Sequence, residues 1–129
     1  MANLQTIQAA RLHNVACGVD KRIGHNTRAR RTPHGWTLQY HSTDVVDFTE
    51  GTLPNGDHWR LIQVRTGGWR TSTTLQRIRH GLSEIGLELW THDIKGEWRI
   101  VQRRKGCAWT MREATTKLRQ VNGGDWVRI

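Results

Sequence analysis

From Trp36 the chain alternates. Trp36, Leu38 and Tyr40 fall on one side and Thr37, Gln39 and His41 on the other, the period of two that marks a strand with one buried and one solvated face. Val45–Phe48 continues as a second strand. Pro54-Asn55-Gly56-Asp57 then supplies hairpin turn residues before a third strand at His58–Thr66. Strands joined by short turns commit the middle of the chain to antiparallel pairing, and the apolar face of such a sheet needs a cover.

The cover is predicted from spacing. Gly67-Gly68 ends the third strand and Thr71, Ser72, Thr73 and Thr74 are all competent N-caps. Leu75, Ile78, Leu82 and Ile85 then recur at intervals of three and four, predicting a helix over about 74–85 that stops at Gly86. Leu87–His92 and Glu97–Arg103 predict a further strand pair around Asp93-Ile94-Lys95-Gly96. Thr110 as cap, with Met111, Ala114, Leu118 and Val121 as an apolar stripe, predicts a second helix over 110–121, and Trp126–Ile129 an edge strand. Leu4, Ile7 and Ala10 predict a weak helix over 3–13, and residues 14–35 read as an irregular basic connector with a brief strand around Arg28–Arg31.

The expected fold is α+β: an antiparallel sheet of five to six strands, two helices on one face and a short N-terminal helical arm. Residues 1–35 are the arm and connector and 36–129 the α+β unit, in a single compact domain. A chain of 129 residues can bury one core of this kind.

Charge separates the chain into three parts. Residues 1–35 carry a net +5, residues 36–98 a net −2 and residues 99–129 a net +6, so all of the +9 excess sits in the two end segments. A fold that brings the ends to one face would present a cationic patch to an anionic partner. The densest clusters are Arg28, Arg30, Arg31 and Arg103, Arg104, Lys105, with Trp36 and Trp109 a few residues away as candidate stacking groups for unpaired bases.

Other classes are disfavoured. The start lacks the apolar core of a secretory signal, and apolar runs no longer than pairs such as Val45-Val46 fall far short of the roughly 18 residues that span a bilayer. Cys17 and Cys107 allow at most one bridge, so reduced thiols in a cytosol are expected. His13-x3-Cys17 is half a zinc site without its second half, and no metal or cofactor is expected. His41 with Asp44 or Asp47, or His92 with Asp93, would supply the base and orienting acid of a small hydrolase, a minority reading.

The most distinctive string is Thr66-Gly67-Gly68-Trp69-Arg70-Thr71-Ser72-Thr73-Thr74, running from a strand end into a helix start, with Arg77 one turn on. Glycines that admit close approach, amides at a helix N-terminus, hydroxyls and two guanidiniums are the ingredients of an anion site. The Gly-Lys-Ser/Thr ending of a nucleotide-hydrolysing loop is missing. Together with Lys21-Arg22-Ile23-Gly24-His25-Asn26-Thr27, Leu38–Phe48 and Arg77-Ile78, this string resembles a widespread family of small, uncharacterised bacteriophage proteins. These carry a Gly-Asn-Asn-Thr-like element, a Leu-His-x-Thr-x-Val-Val strand and a Thr-Gly-Gly-Trp-Arg-Thr-x-Thr-Thr segment. The resemblance covers about residues 21–100, departs at His25 and has no counterpart for 99–129. It implies a phage origin and a host-cytoplasm or virion setting, implies no activity, and adds Asn26, Thr27, His41 and Thr43 as a polar group of interest.

The leading expectation is a phage-encoded basic protein that binds nucleic acid through the phosphate backbone without catalysis. The alternatives are a virion component or inhibitor of a host defence complex, docking on an acidic protein surface, and a small His-dependent nuclease.

Overall fold

The structure, a computed structural model, describes residues 21–24, 26–68, 70–91, 96–103, 106–111 and 115–129. An antiparallel meander comes first: β1 (Lys21–Gly24), β2 (Thr27–Thr32), β3 (Gly35–Tyr40), β4 (Thr43–Thr52) and β5 (His58–Arg65). Helix α1 (Ser72–Ser83) follows, then a separate three-stranded sheet of β6 (Glu88–Thr91), β7 (Trp98–Gln102) and β8 (Cys107–Thr110). The chain then returns as β9 (Thr115–Val121) to pair with β5, and β10 (Val127–Arg128) adds the last edge. The large sheet has the order β1-β2-β3-β4-β5-β9-β10.

The α+β expectation is therefore corrected: the described chain is mostly β, with ten strands in two sheets and one helix. The expected arm helix over 3–13 lies outside the described residues. The brief strand expected around Arg28–Arg31 is present as the longer β2, and residues 21–24, expected as irregular connector, are also a strand of the large sheet. The expected helix over 110–121 is instead the end of β8 and the whole of β9. Its 3–4 spacing of apolar residues competes with a period of two, in which Thr116 and Leu118 are buried while Lys117, Arg119 and Val121 are open. β-branched Thr115, Thr116 and Val121 favour extended chain. The decision is nonlocal, because without β9 the edge of β5 would present an unpaired ladder, and β9 closes it with seven registered pairs from Trp59↔Val121 to Arg65↔Thr115.

Register sorts the large sheet into two faces. On the inner face one row runs Ala29, Leu38, Val46, Val64 and Thr116, and the next places Trp36, Phe48, Ile62 and Leu118 side by side. All nine are buried. A bulge at Val45, between the pairs Leu38↔Val46 and Gln39↔Asp44, lets Val45 and Val46 both enter the core. Helix α1 packs on β3 and β4 and reaches β6. It joins the core through Leu75, Ile78 and Leu82, as the small sheet does through Leu89, Trp98 and Ile100.

Both helix ends are closed by the chain itself. The Thr71 side chain accepts from Thr74 N–H, and beyond the last turn Leu87 N–H donates to Leu82 O at 2.9 Å while Gly86 takes φ 82°. Gly81 sets the helix-to-sheet distance, since a Cβ there would meet Val46 Cγ2 at 2.7 Å and Val46 Cβ at 2.9 Å.

Gly81→Ala should therefore destabilise the protein by about 1–3 kcal/mol in chemical denaturation, against the roughly 1 kcal/mol that helix propensity alone would add. Pairing it with Val46→Ala should recover part of the loss.

Candidate functional site

The β3–β4 turn, the β5–α1 connection and the first turn of α1 enclose a cavity of about 380 Å³ lined by Tyr40, His41, Ser42, Thr43, Val45, Thr66, Thr71 and Thr74. Two backbone features bring these segments together. His41 sits at φ 55°, and its N–H donates to Asn26 O at 2.8 Å, which straps the turn to the start of β2. Gly67, at φ 64°, leaves room for Thr43, whose Oγ1 would lie 2.6 Å from a Cβ at that position. His41, Thr43 and the hydroxyls of the 66–74 string thus meet, although they are separated by a whole hairpin in sequence.

The hydroxyls are largely occupied by the chain's own amides. Gly68 N–H donates to Thr66 Oγ1 at 3.2 Å, and Thr74 N–H to Thr71 Oγ1 at 3.2 Å. Arg70 points into the structure instead of toward an anion: Nη1 donates to Gly96 O at 3.3 Å, Nη2 to Met111 O at 2.7 Å, and the guanidinium lies 5.5 Å from the Trp98 ring centroid. It ties the loop before α1 to one end of the small sheet, where β7 begins and β8 ends. Thr73 is half-buried in the first turn. The cavity lining holds no charged side chain, apart from His41 when it is protonated.

Arg77 lies one turn further along α1, only 4% exposed. Its Nε donates to Thr27 Oγ1 at 2.8 Å and its guanidinium stands 5.9 Å from the Tyr40 ring centroid. Burial lowers its pKa below the usual arginine value, with Tyr40 acting in the opposite direction. His80, 2% exposed, has neither ring nitrogen hydrogen-bonded. Burial, then the charge of Arg77, pushes its pKa down to about 4.

The basic residues expected to share a groove do not. Arg28 and Arg30 project from the outer face of the large sheet, whereas Arg31 and the Thr27 that holds Arg77 belong to the inner-face register. Arg30 is engaged by Gln39 at 2.8 Å and by Asp44 at 3.1 Å. Arg103 is on the small sheet, 5.8 Å from the Trp90 ring centroid and 3.7 Å from Glu88. Trp69, Arg104 and Lys105 lie outside the described residues. Trp36 is buried against Phe48 and Trp109 packs on the core, so neither presents a stacking face of the kind expected.

The hydrolase geometry is not assembled either. Asp44 is held by Arg30, Asp47 accepts from Thr37 Oγ1 at 2.9 Å, and His41 packs on Tyr40. His92 and Asp93, like His13 and Cys17, lie outside the described residues.

Sequence reasoning missed two groups. Arg65, at the end of β5, and Lys117 and Arg119, on the unforeseen strand β9, share the outer face with Arg28 and Arg30. Trp90, with Arg79 and Arg99, forms an exposed cluster on the small sheet. The available signal was phase: Leu87 and Leu89 hold the buried phase, leaving Trp90 on the polar one. No family model, curated protein or solved structure matches the chain.

Arg70→Ala should lower stability in chemical denaturation by about 2 kcal/mol, because two carbonyls lose a charged donor. Stability should also fall as pH drops from about 6.5 toward 4, where the unfolded His80 takes a proton that the folded one refuses, by about 3 kcal/mol in all. Denaturation midpoints across that range should lose most of this slope in His80→Leu.

Proposed function

We propose that the protein is a non-catalytic nucleic-acid-binding module that grips the phosphate backbone with the outer face of the large sheet. The observation that carries this reading is the register. Arg30, Thr37, Asp47, Gln63 and Lys117 form one row across β2, β3, β4, β5 and β9, with Arg28 and Arg119 on adjacent rows of the same face. Four ladder steps of about 4.8 Å separate β2 from β9, so cations stand roughly 19 Å apart at the two ends of a polar strip.

Between them the acids are already engaged, Asp44 by Arg30 and Asp47 by Thr37 with Arg65 4.0 Å away. Arg28, Lys117 and Arg119 are exposed. Cations at the two ends of such a strip neutralise phosphates of a backbone that crosses it and release counterions, which makes binding strong at low salt and insensitive to base sequence. The two basic end segments of the chain both contribute, as the overall +9 charge suggests. A phage origin, with a host-cytoplasm or virion setting, follows from the resemblance already described and belongs to the same proposal. Among the described residues no helix is long and apolar enough to cross a membrane.

Fluorescence anisotropy with labelled DNA and RNA at rising salt tests the reading. Affinity should fall linearly in a double-logarithmic plot. The double variant Lys117→Glu/Arg119→Glu should weaken binding tenfold or more and flatten the slope by about 2. Absence of binding at low salt, or a partner captured from lysate that survives nuclease, would replace this reading with docking on an acidic protein.

A further inference from the structure

Trp90 occupies the solvated phase of β6 and is 49% exposed. Large aromatic side chains in an alternating strand normally take the buried phase, whereas this indole is open among three arginines, of which Arg99 is paired with Glu97 and Arg103 with Glu88. Arg99 is its direct cross-strand partner on β7, Arg103 lies over its ring, and Arg79 reaches it from α1. Glu88 Oε2 accepts from the indole Nε1 at 3.0 Å and fixes the ring's orientation.

Beside the ring is a cleft of about 310 Å³ lined by Arg79, Trp90, Thr91, Glu97 and Arg99. Both arginines are anchored through Nε alone, Arg79 to Leu89 O at 3.0 Å and Arg99 to Glu97 Oε1 at 2.6 Å. Their Nη ends make no hydrogen bond to the described residues. A guanidinium held by Nε presents its outer fork, the geometry that suits two oxygens of a phosphate.

We propose that this cleft binds an unpaired nucleotide of a single strand, the base stacked on Trp90 and its phosphate on the forks of Arg79 and Arg99. This deepens, and rests on, the nucleic-acid reading above. The chemistry selects the ligand: an acidic peptide carries its aromatic rings and its carboxylates on separate side chains, and a duplex keeps its base faces hidden in the stack. An unpaired nucleotide offers both groups within one residue. Glu97, which accepts from Arg99 Nε, lines the same cleft with a carboxylate whose second oxygen is an acceptor for base or sugar donors.

The test follows the Trp90 indole N–H resonance, assigned by its disappearance in Trp90→Phe, during titration of the whole protein with short oligo(dT), oligo(U) and a blunt duplex. Single strands should shift it and the duplex should not, with the DNA and RNA arms showing which strand is preferred. In parallel anisotropy measurements Trp90→Ala should lose tenfold or more in single-strand affinity, Trp90→Phe should keep most of it, and Arg79→Ala/Arg99→Ala should weaken it similarly. An unmoved resonance, an equal shift by the duplex, or undiminished affinity in Trp90→Ala overturns the cleft. If Trp90 responds while Lys117→Glu/Arg119→Glu changes nothing, the sheet-face reading falls and the cleft stands. If no probe binds even at low salt, both fall.

Discussion

The ladder between β5 and β9 is the contact on which the rest of the molecule depends. It joins residues fifty or more positions apart, completes the inner-face rows with Thr116 and Leu118, and removes the open edge that β5 would otherwise present. It also carries the basic C-terminal segment onto the sheet that holds the basic N-terminal strands. Lys117 therefore ends the row that Arg30 begins. A single pairing thus fixes both the core and the distribution of charge on the open face.

Helix α1 is fitted to that sheet with little tolerance. Gly81 lets it approach Val46, and the bulge at Val45 supplies a second buried valine on the same strand. The same helix carries two polar side chains into the interior at a cost. Arg77 has one hydroxyl and an aromatic face to offset its desolvation, and His80 has no hydrogen bond for either nitrogen. The hydroxyl-lined cavity beside the first turn of this helix is a close junction of three chain segments, in which Thr66 and Thr71 accept from the chain's own amides.

Much of the fold was legible locally. Strands β3, β4 and β5, the helix with its Thr71 cap and Gly86 stop, and the β6–β7 pair all follow from periodicity and turn chemistry. The failures share a cause. Residues 110–121 fit a helical stripe and a strand about equally well by pattern, and the outcome was set by a partner strand far away in sequence. The arginine cluster is divided for a related reason: Arg28, Arg30 and Arg31 are adjacent in sequence, but a strand sends alternate side chains to opposite faces. The meeting of His41 and Thr43 with the 66–74 hydroxyls and the inward use of Arg70 were not legible, because turn geometry and carbonyl acceptors leave no trace in residue identity.

By itself the sequence determined that this chain makes strands with one apolar face, a capped amphipathic helix and a large positive excess at its two ends. These are properties of local periodicity, side-chain volume and formal charge, and need no knowledge of neighbours. Tertiary structure alone decided which strands share a sheet, which face each arginine occupies and why Trp90 stands in solvent. Those outcomes depend on register and edge pairing, where a shift of one residue exchanges inside for outside and no short window of sequence contains both partners.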